Sequence, residues 1–191
     1  MMITEPWKNI VDEVREHYLN GLQEAVAEFK QEYPQAATEL LLEVGRSSTY
    51  GFRLYRMDMA ANVDVKFEMR ECNLLNYVNF FPLSLKPLQG LSLKLSPFTW
   101  NGVDFSIDAT VPSILLEQWA LRWLNVDDVQ ENNERGFQSV IHSLTEPMTA
   151  AGWTMFSVDF GSAPLVAVEE LLKLLAGSGA TVAVMKSDLT E

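Results

Sequence analysis

Apolar residues recur every three or four positions near the start of the chain, at Trp7, Val11, Val14, Tyr18, Leu22, Val26, Phe29 and Tyr33. That is the spacing of one helix face, and Thr4, Glu5 and Pro6 ahead of it form a helix-start signal. The pattern predicts a long amphipathic helix over residues 4–33. Trp7, Tyr18 and Phe29 lie eleven apart, about 3.67 residues per turn, so the stripe runs nearly straight and suits packing along a sheet better than a coiled coil. Gly21 weakens the helix middle by roughly 1 kcal/mol relative to Ala, and Pro34 disfavours helical geometry at Tyr33 and ends it.

Residues 35–44 are open to two readings. Leu40, Leu41 and Leu42 with Gly45 behind them favour a short helix, while a buried strand fits the same apolar cluster. From residue 50 to 110 the period becomes two. Phe52 and Leu54 come first; then Val63, Val65, Phe67 and Met69 alternate with Asp64, Lys66, Glu68 and Arg70, which predicts one buried and one wet face. Asn101-Gly102 tolerates the positive φ of a two-residue turn and predicts a tight hairpin. A parity change between Leu95 and Phe98 places a β-bulge at Ser96-Pro97.

Thr110, as a cap, and Pro112 then open a helix carrying Leu115, Leu116, Trp119, Ala120, Trp123 and Leu124 on one face and ending near Asn125. Residues 126–136 read as an acidic loop, and 137–144 and 153–160 as strands. Ser162, as a cap, and Pro164 start a last helix to Ala176, and 181–185 close the chain as a buried strand.

An internal similarity runs through the second half. Pro-x-Thr-x-x-Gly recurs at Pro97–Gly102 and Pro147–Gly152, a separation of 50, and Phe105-Ser-Ile-Asp108 resembles Phe156-Ser-Val-Asp159. Each leads to a Pro at the head of a Leu-rich helix. Two hairpin–helix units, 91–125 and 137–186, follow from this. The expected fold class is α+β: one domain over 1–191, with a mainly antiparallel sheet, helices on one face, and the long N-terminal helix.

Strand parity now acquires a charge. Burying Phe105, Ile107, Phe156, Val158 and Phe160 sends Asp104, Asp108 and Asp159 to the opposite face, and the loop adds Asp127, Asp128 and Glu131. With 14 Lys+Arg against 26 Asp+Glu, the formal net charge is −12. Such a balance repels phosphate backbones and anionic lipid, and so argues against nucleic acid and membrane as partners. A basic protein partner is the positive expectation. The one cysteine, Cys72, can form no internal disulfide, and neither a leader-like start nor a membrane-length apolar run is present, so the chain reads as cytoplasmic.

Candidate chemistry changes this picture little. His17, His142 and Cys72 are the only His and Cys residues, in no metal-binding spacing, so neither a metal nor another cofactor is expected. Within its predicted strand His142 is a core histidine or, given a carboxylate partner and a nucleophile, a general base; no catalytic residues are assigned. The leading expectation is a non-enzymatic acidic binding module of the inhibitor or immunity type. Two alternatives accompany it: a small enzyme or small-molecule binder with a pocket between the sheet and the N-terminal helix, and a structural subunit of a homo-oligomer. A deep pocket with convergent polar groups distinguishes the first alternative from a flat acidic surface.

Overall fold

The computed structural model describes residues 6–64 and 66–188. The long apolar stripe forms helix α1, Pro6–Glu32, with Trp7, Val11, Val14, Tyr18, Leu22, Val26 and Phe29 all buried. The expected start at Thr4 and Glu5 lies outside the described residues. At Gly21 an added Cβ would overlap the side chain of Leu74. The glycine that weakens the helix thus lets the 71–78 segment close directly onto it.

Two sheets follow. The smaller has the order β1-β2-β3, with β1 Ala37–Glu43, β2 Leu54–Val63 and β3 Lys66–Arg70. The 35–44 region is therefore a strand, its backbone paired antiparallel to β2 from Ala37↔Ala60 to Glu43↔Leu54. Local propensity favoured a helix there, but the ladder offered by β2 outweighs it. A second correction concerns β3, whose five residues are all exposed, Phe67 and Met69 included. β3 is the outer strand, and it is its Arg70 that reaches α1, pairing with Glu32 at 3.1 Å and lying over the Phe29 ring. Val65 lies outside the described residues.

The larger sheet contains β4 (Leu83–Leu88), β5 (Leu91–Leu95), β6 (Val103–Ile107), β7 (Ser143–Leu144), β8 (Met148–Ala150), β9 (Trp153–Asp159) and β10 (Val182–Lys186). Its order is β4-β5-β10-β6-β9-β7, with β8 also on β9. A turn forms at Asn101-Gly102, where the Gly102 N–H donates to Thr99 O at 3.2 Å, yet β5 and β6 do not pair. Instead β10 lies between them, parallel to β5 and antiparallel to β6. Ser96 N–H bonds Met185 O at 3.0 Å, so the parity change at Ser96-Pro97 marks the chain leaving β5 to pass the end of β10, not a bulge. The two supposed hairpin–helix units consequently differ: β8 and β9 pair directly, whereas the first unit is split. Their Phe-Ser-x-Asp segments are antiparallel neighbours, with Phe105 opposite Phe156 and the rings stacked at 5.2 Å.

Helices α2, Ser113–Trp123, and α3, Leu165–Gly177, cover the apolar face. The Phe160 ring meets both Phe105 and Trp119 edge-on, and Trp119 Nε1 donates to Ala167 O at 3.2 Å. Neither expected cap operates. Pro112 and Pro164 precede the helices with no side-chain cap bond, and Ser162 Oγ instead accepts from Val140 N–H at 3.2 Å. Only Ser143–Leu144 of the expected 137–144 strand is regular; positive φ at Gly136 and Ser139 bends the stretch before it. No helix among the described residues is long and apolar enough to cross a membrane.

Arg56 of β2 fastens the smaller sheet to the end of α2. Its buried guanidinium donates to Leu124 O at 2.7 Å, Glu39 O at 2.7 Å, Gln138 Oε1 at 2.7 Å and Asn125 O at 3.2 Å. Only a planar fork reaches all four acceptors. Arg56→Lys should lower unfolding free energy by about 2–3 kcal/mol in urea titrations, while Arg46→Lys on the exposed 44–49 turn should stay within about 0.5 kcal/mol of the parent.

Candidate functional site

The two sheets meet at His142. Its N–H donates to Asp159 O at 2.8 Å and its carbonyl accepts from Arg56 N–H at 2.8 Å, so one residue forms a rung between β9 and β2. The imidazole has 1% exposure and three carboxylates around it. Nε2 bonds Glu39 Oε1 at 3.1 Å, while Nδ1 lies 2.7 Å from Asp58 Oδ1 and 4.0 Å from Asp159 Oδ1. The Nδ1–Asp58 approach is close but poorly directed, which leaves Nδ1 a buried donor without an aligned hydrogen bond.

Local backbone explains each placement. Glu39 faces Asp58 across the β1–β2 register and has φ of +54°; its second oxygen accepts from Gln138 N–H at 2.5 Å. Asp58 also accepts from Tyr18 Oη at 3.3 Å and Cys72 N–H at 2.5 Å. Asp159, the last residue of β9, accepts from Gly161 N–H at 2.9 Å. Gly161 has φ of +47°, and a Cβ there would fall inside the His142 ring, so the imidazole occupies space that only glycine leaves open.

The protons follow from this packing. Burial works against the imidazolium, but Asp159, Asp58 and Glu39 outweigh it and hold His142 well above the usual histidine range. Asp159 is pushed up to about 7, first by burial and then by Asp58, against the pull of His142 and the Gly161 N–H. Near neutrality, then, His142 is a cation and Asp159 is the carboxyl that exchanges its proton. Cys72 rises to about 12, mainly by burial and further by Asp58 and Asp159, which keeps the thiol protonated and poorly nucleophilic.

Asp58 and Asp159 floor a cleft of about 270 Å³, walled by Tyr55, Glu71, Asn73, Asn101, Ser143, Thr145 and Ser157. Tyr55 Oη donates to Glu71 Oε1 at 2.5 Å. No Lys or Arg lines the cleft. Its chemistry is that of a site for a hydrogen-bonding cation, with one carboxyl able to give or take a proton. His142 is sealed behind that floor, against the carboxylates. Glu39 and Asp58 lie against opposite ring nitrogens, so they do not converge on one point, and among the described residues no group of three such side chains is placed to hold a metal ion.

The residues singled out from sequence are dispersed. Asp159 belongs to the cleft. Asp104, one rung away, accepts from Ser157 Oγ. Asp108 accepts from the Thr181 hydroxyl, from Thr181 N–H at 2.9 Å and from Val182 N–H at 2.7 Å; burial pushes its carboxyl up, but these bonds, the Thr181 hydroxyl first, hold it below the usual range. By the β6–β9 register Asp108 and Asp159 stand at opposite strand ends, on the order of 20 Å apart. Asp127, Asp128 and Glu131 are exposed on the loop after α2, outside the cleft. Sequence reasoning missed Glu39, Asp58, Tyr55 and Glu71. The available signal was Asp58 among Met57, Met59, Ala60 and Ala61, an acid in an apolar strand that must find partners if buried.

Two tests bear on this cluster. A carboxyl whose folded pKa of about 7 exceeds its unfolded value of 3.8 stabilises the fold fully below pH 3.8, and that contribution is lost as pH rises through 7. Between pH 5 and 6 the parent should lose about 1 kcal/mol relative to Asp159→Asn, read as the difference of two urea-unfolding pH profiles. Gly161→Ala should destabilise by about 3 kcal/mol or more, against less than about 1 kcal/mol for Gly177→Ala, whose Cβ meets nothing.

No protein family matches this chain, and comparison with curated proteins and with solved structures likewise gives no match; the reading of the site therefore rests on its geometry.

Proposed function

We propose that this protein binds a small, cationic, hydrogen-bonding molecule in the cleft floored by Asp58 and Asp159. The observation that carries the reading is a polar cavity of about 270 Å³ whose floor is two largely buried carboxyls and whose walls hold no basic side chain. A protonated amine gains charge-assisted bonds there without displacing an internal cation. The Ser143, Thr145 and Ser157 side chains suit the polar substituents of such a molecule. Asp159, able to exchange its proton near neutral pH, extends the reading to an enzyme that moves a proton on its bound amine.

This reading displaces the flat acidic platform as first choice, since Asp108 accepts through both oxygens, and Asp104 through one, within the chain. A basic protein partner retains one support, the exposed Asp127, Asp128 and Glu131 on a single loop.

Titration with ethylamine, followed by backbone amide NMR at pH 7, tests the proposal. Saturable shifts should appear at Asn73, Gly102 and Ser143, and both Glu71→Gln and Asp159→Asn should weaken binding about tenfold, worth about 1.4 kcal/mol. Shifts confined to residues 127–131, or none at millimolar amine, would overturn it.

A further inference from the structure

The smaller sheet ends at β1 and β3, the larger at β4 and β7. Three of these edges are occupied or broken. On β1, Gln138 Nε2 donates to Thr38 O at 3.1 Å and the Arg56 guanidinium to Glu39 O at 2.7 Å. β4 contains Pro87 and a register break between Leu85 and Leu88, and β7 is two residues long. β3 differs. It has no proline and no register shift against β2, and all five residues are exposed, Phe67 at 48% and Met69 at 51%. An edge of this kind is a template for another strand.

The direction of its main-chain groups follows from β2. Val44 N–H donates to Arg53 O at 2.6 Å and Arg56 N–H to His142 O at 2.8 Å, so from Arg53 onward odd residues face β1 and even ones face away from it. In the β2–β3 register the even residues Asn62 and Ala60 lie opposite Phe67 and Met69. Phe67 and Met69 therefore spend their main-chain groups on β2, and those of Lys66, Glu68 and Arg70 point to the open edge. We infer that two copies of this chain join there, β3 against β3, as a two-fold antiparallel pair centred on Phe67. The inference is independent of the amine-binding reading.

Charge selects the register. Centring the pair on Glu68 sets that residue against its own copy and Lys66 against Arg70, like charge on like. Centring it on Met69 relies on Arg70, which Glu32 and the Phe29 ring already hold, and sets Phe67 against Glu71. Centring it on Phe67 sets Lys66 against Glu68 twice, and neither has an ion pair of its own among the described residues. The two phenyl rings then meet at a non-hydrogen-bonded position, where side chains approach closest, with Met69 on the diagonal. On a chain of net charge −12 this strand carries Lys66 and Arg70 against Glu68 alone, so two copies meet there without acid facing acid. The pairing uses β3 of both copies, and the other edges give it no way to propagate.

Sedimentation equilibrium from about 1 µM to about 1 mM at pH 7 tests the inference. The parent should pass from monomer to dimer. Glu68→Lys or Lys66→Glu alone should weaken the dimer about tenfold by facing like charges, and the double variant, with the charges exchanged, should restore it. The other two registers do not give that combination. Both sites are exposed, so the variants should keep the parent's circular dichroism. Amide exchange read by NMR should slow at Lys66 and Glu68 as concentration rises, and stay unchanged at Phe67 and Met69. A chain that remains monomeric throughout, or assembles beyond the dimer, overturns the inference. So does a dimer indifferent to Glu68→Lys, or a double variant as weak as the single ones.

Discussion

One buried cation organises this molecule. An imidazolium at 1% exposure is costly unless its charge is answered at close range, and here the answer comes from three strands: Glu39 from β1, Asp58 from β2 and Asp159 from β9. Removing His142 would leave the three carboxyls without a counter-charge. The two sheets share this cluster and the single backbone rung at His142, so their relative position is set by electrostatics as well as by the apolar contacts of α1. Three carboxyls around one cation still exceed neutrality, and the surplus is relieved by a proton on Asp159. What negative charge is left lies beside the cleft floored by Asp58 and Asp159.

Topology brings the acids together. Because β10 inserts between β5 and β6, the turn at Asn101-Gly102 is pushed to the sheet end instead of closing a hairpin, and it becomes part of the cleft wall. On β9 the strand stops at Asp159 and the chain turns at Gly161. That turn brings the Asp159 carboxyl against the ring of His142. Across the gap, the irregular 71–78 segment supplies Glu71 and Asn73. A cleft at the meeting of two sheets, with one wall made of non-repetitive chain, is the kind of place where the lining can change without altering the scaffold.

The architecture was readable in the sequence where periodicity was long and unambiguous. The eleven-residue spacing of Trp7, Tyr18 and Phe29 marks the face of α1 that is buried, and the alternation in Val103–Ile107 and Trp153–Asp159 matches the buried and half-buried positions of β6 and β9. Local signals failed where a distant strand decided the outcome. Leu40, Leu41 and Leu42 have no periodicity of their own and became strand only because β2 pairs with them. Asn101-Gly102 encodes a turn but not which strands flank it. The cluster was half legible: His142 and Asp159 drew notice for their residue type and parity, whereas Glu39 and Asp58 lie about a hundred residues before them, and no spacing rule links a histidine to acids that only long-range pairing delivers.

Gly21 holds a consequence that reaches beyond α1. The space of a single missing methyl group is filled by Leu74, so the seating of the 71–78 segment, which brings Glu71 and Asn73 to the cleft wall, is gauged from α1. Enlarging or trimming that one spacer would move this wall while leaving Asp58 and Asp159 in place.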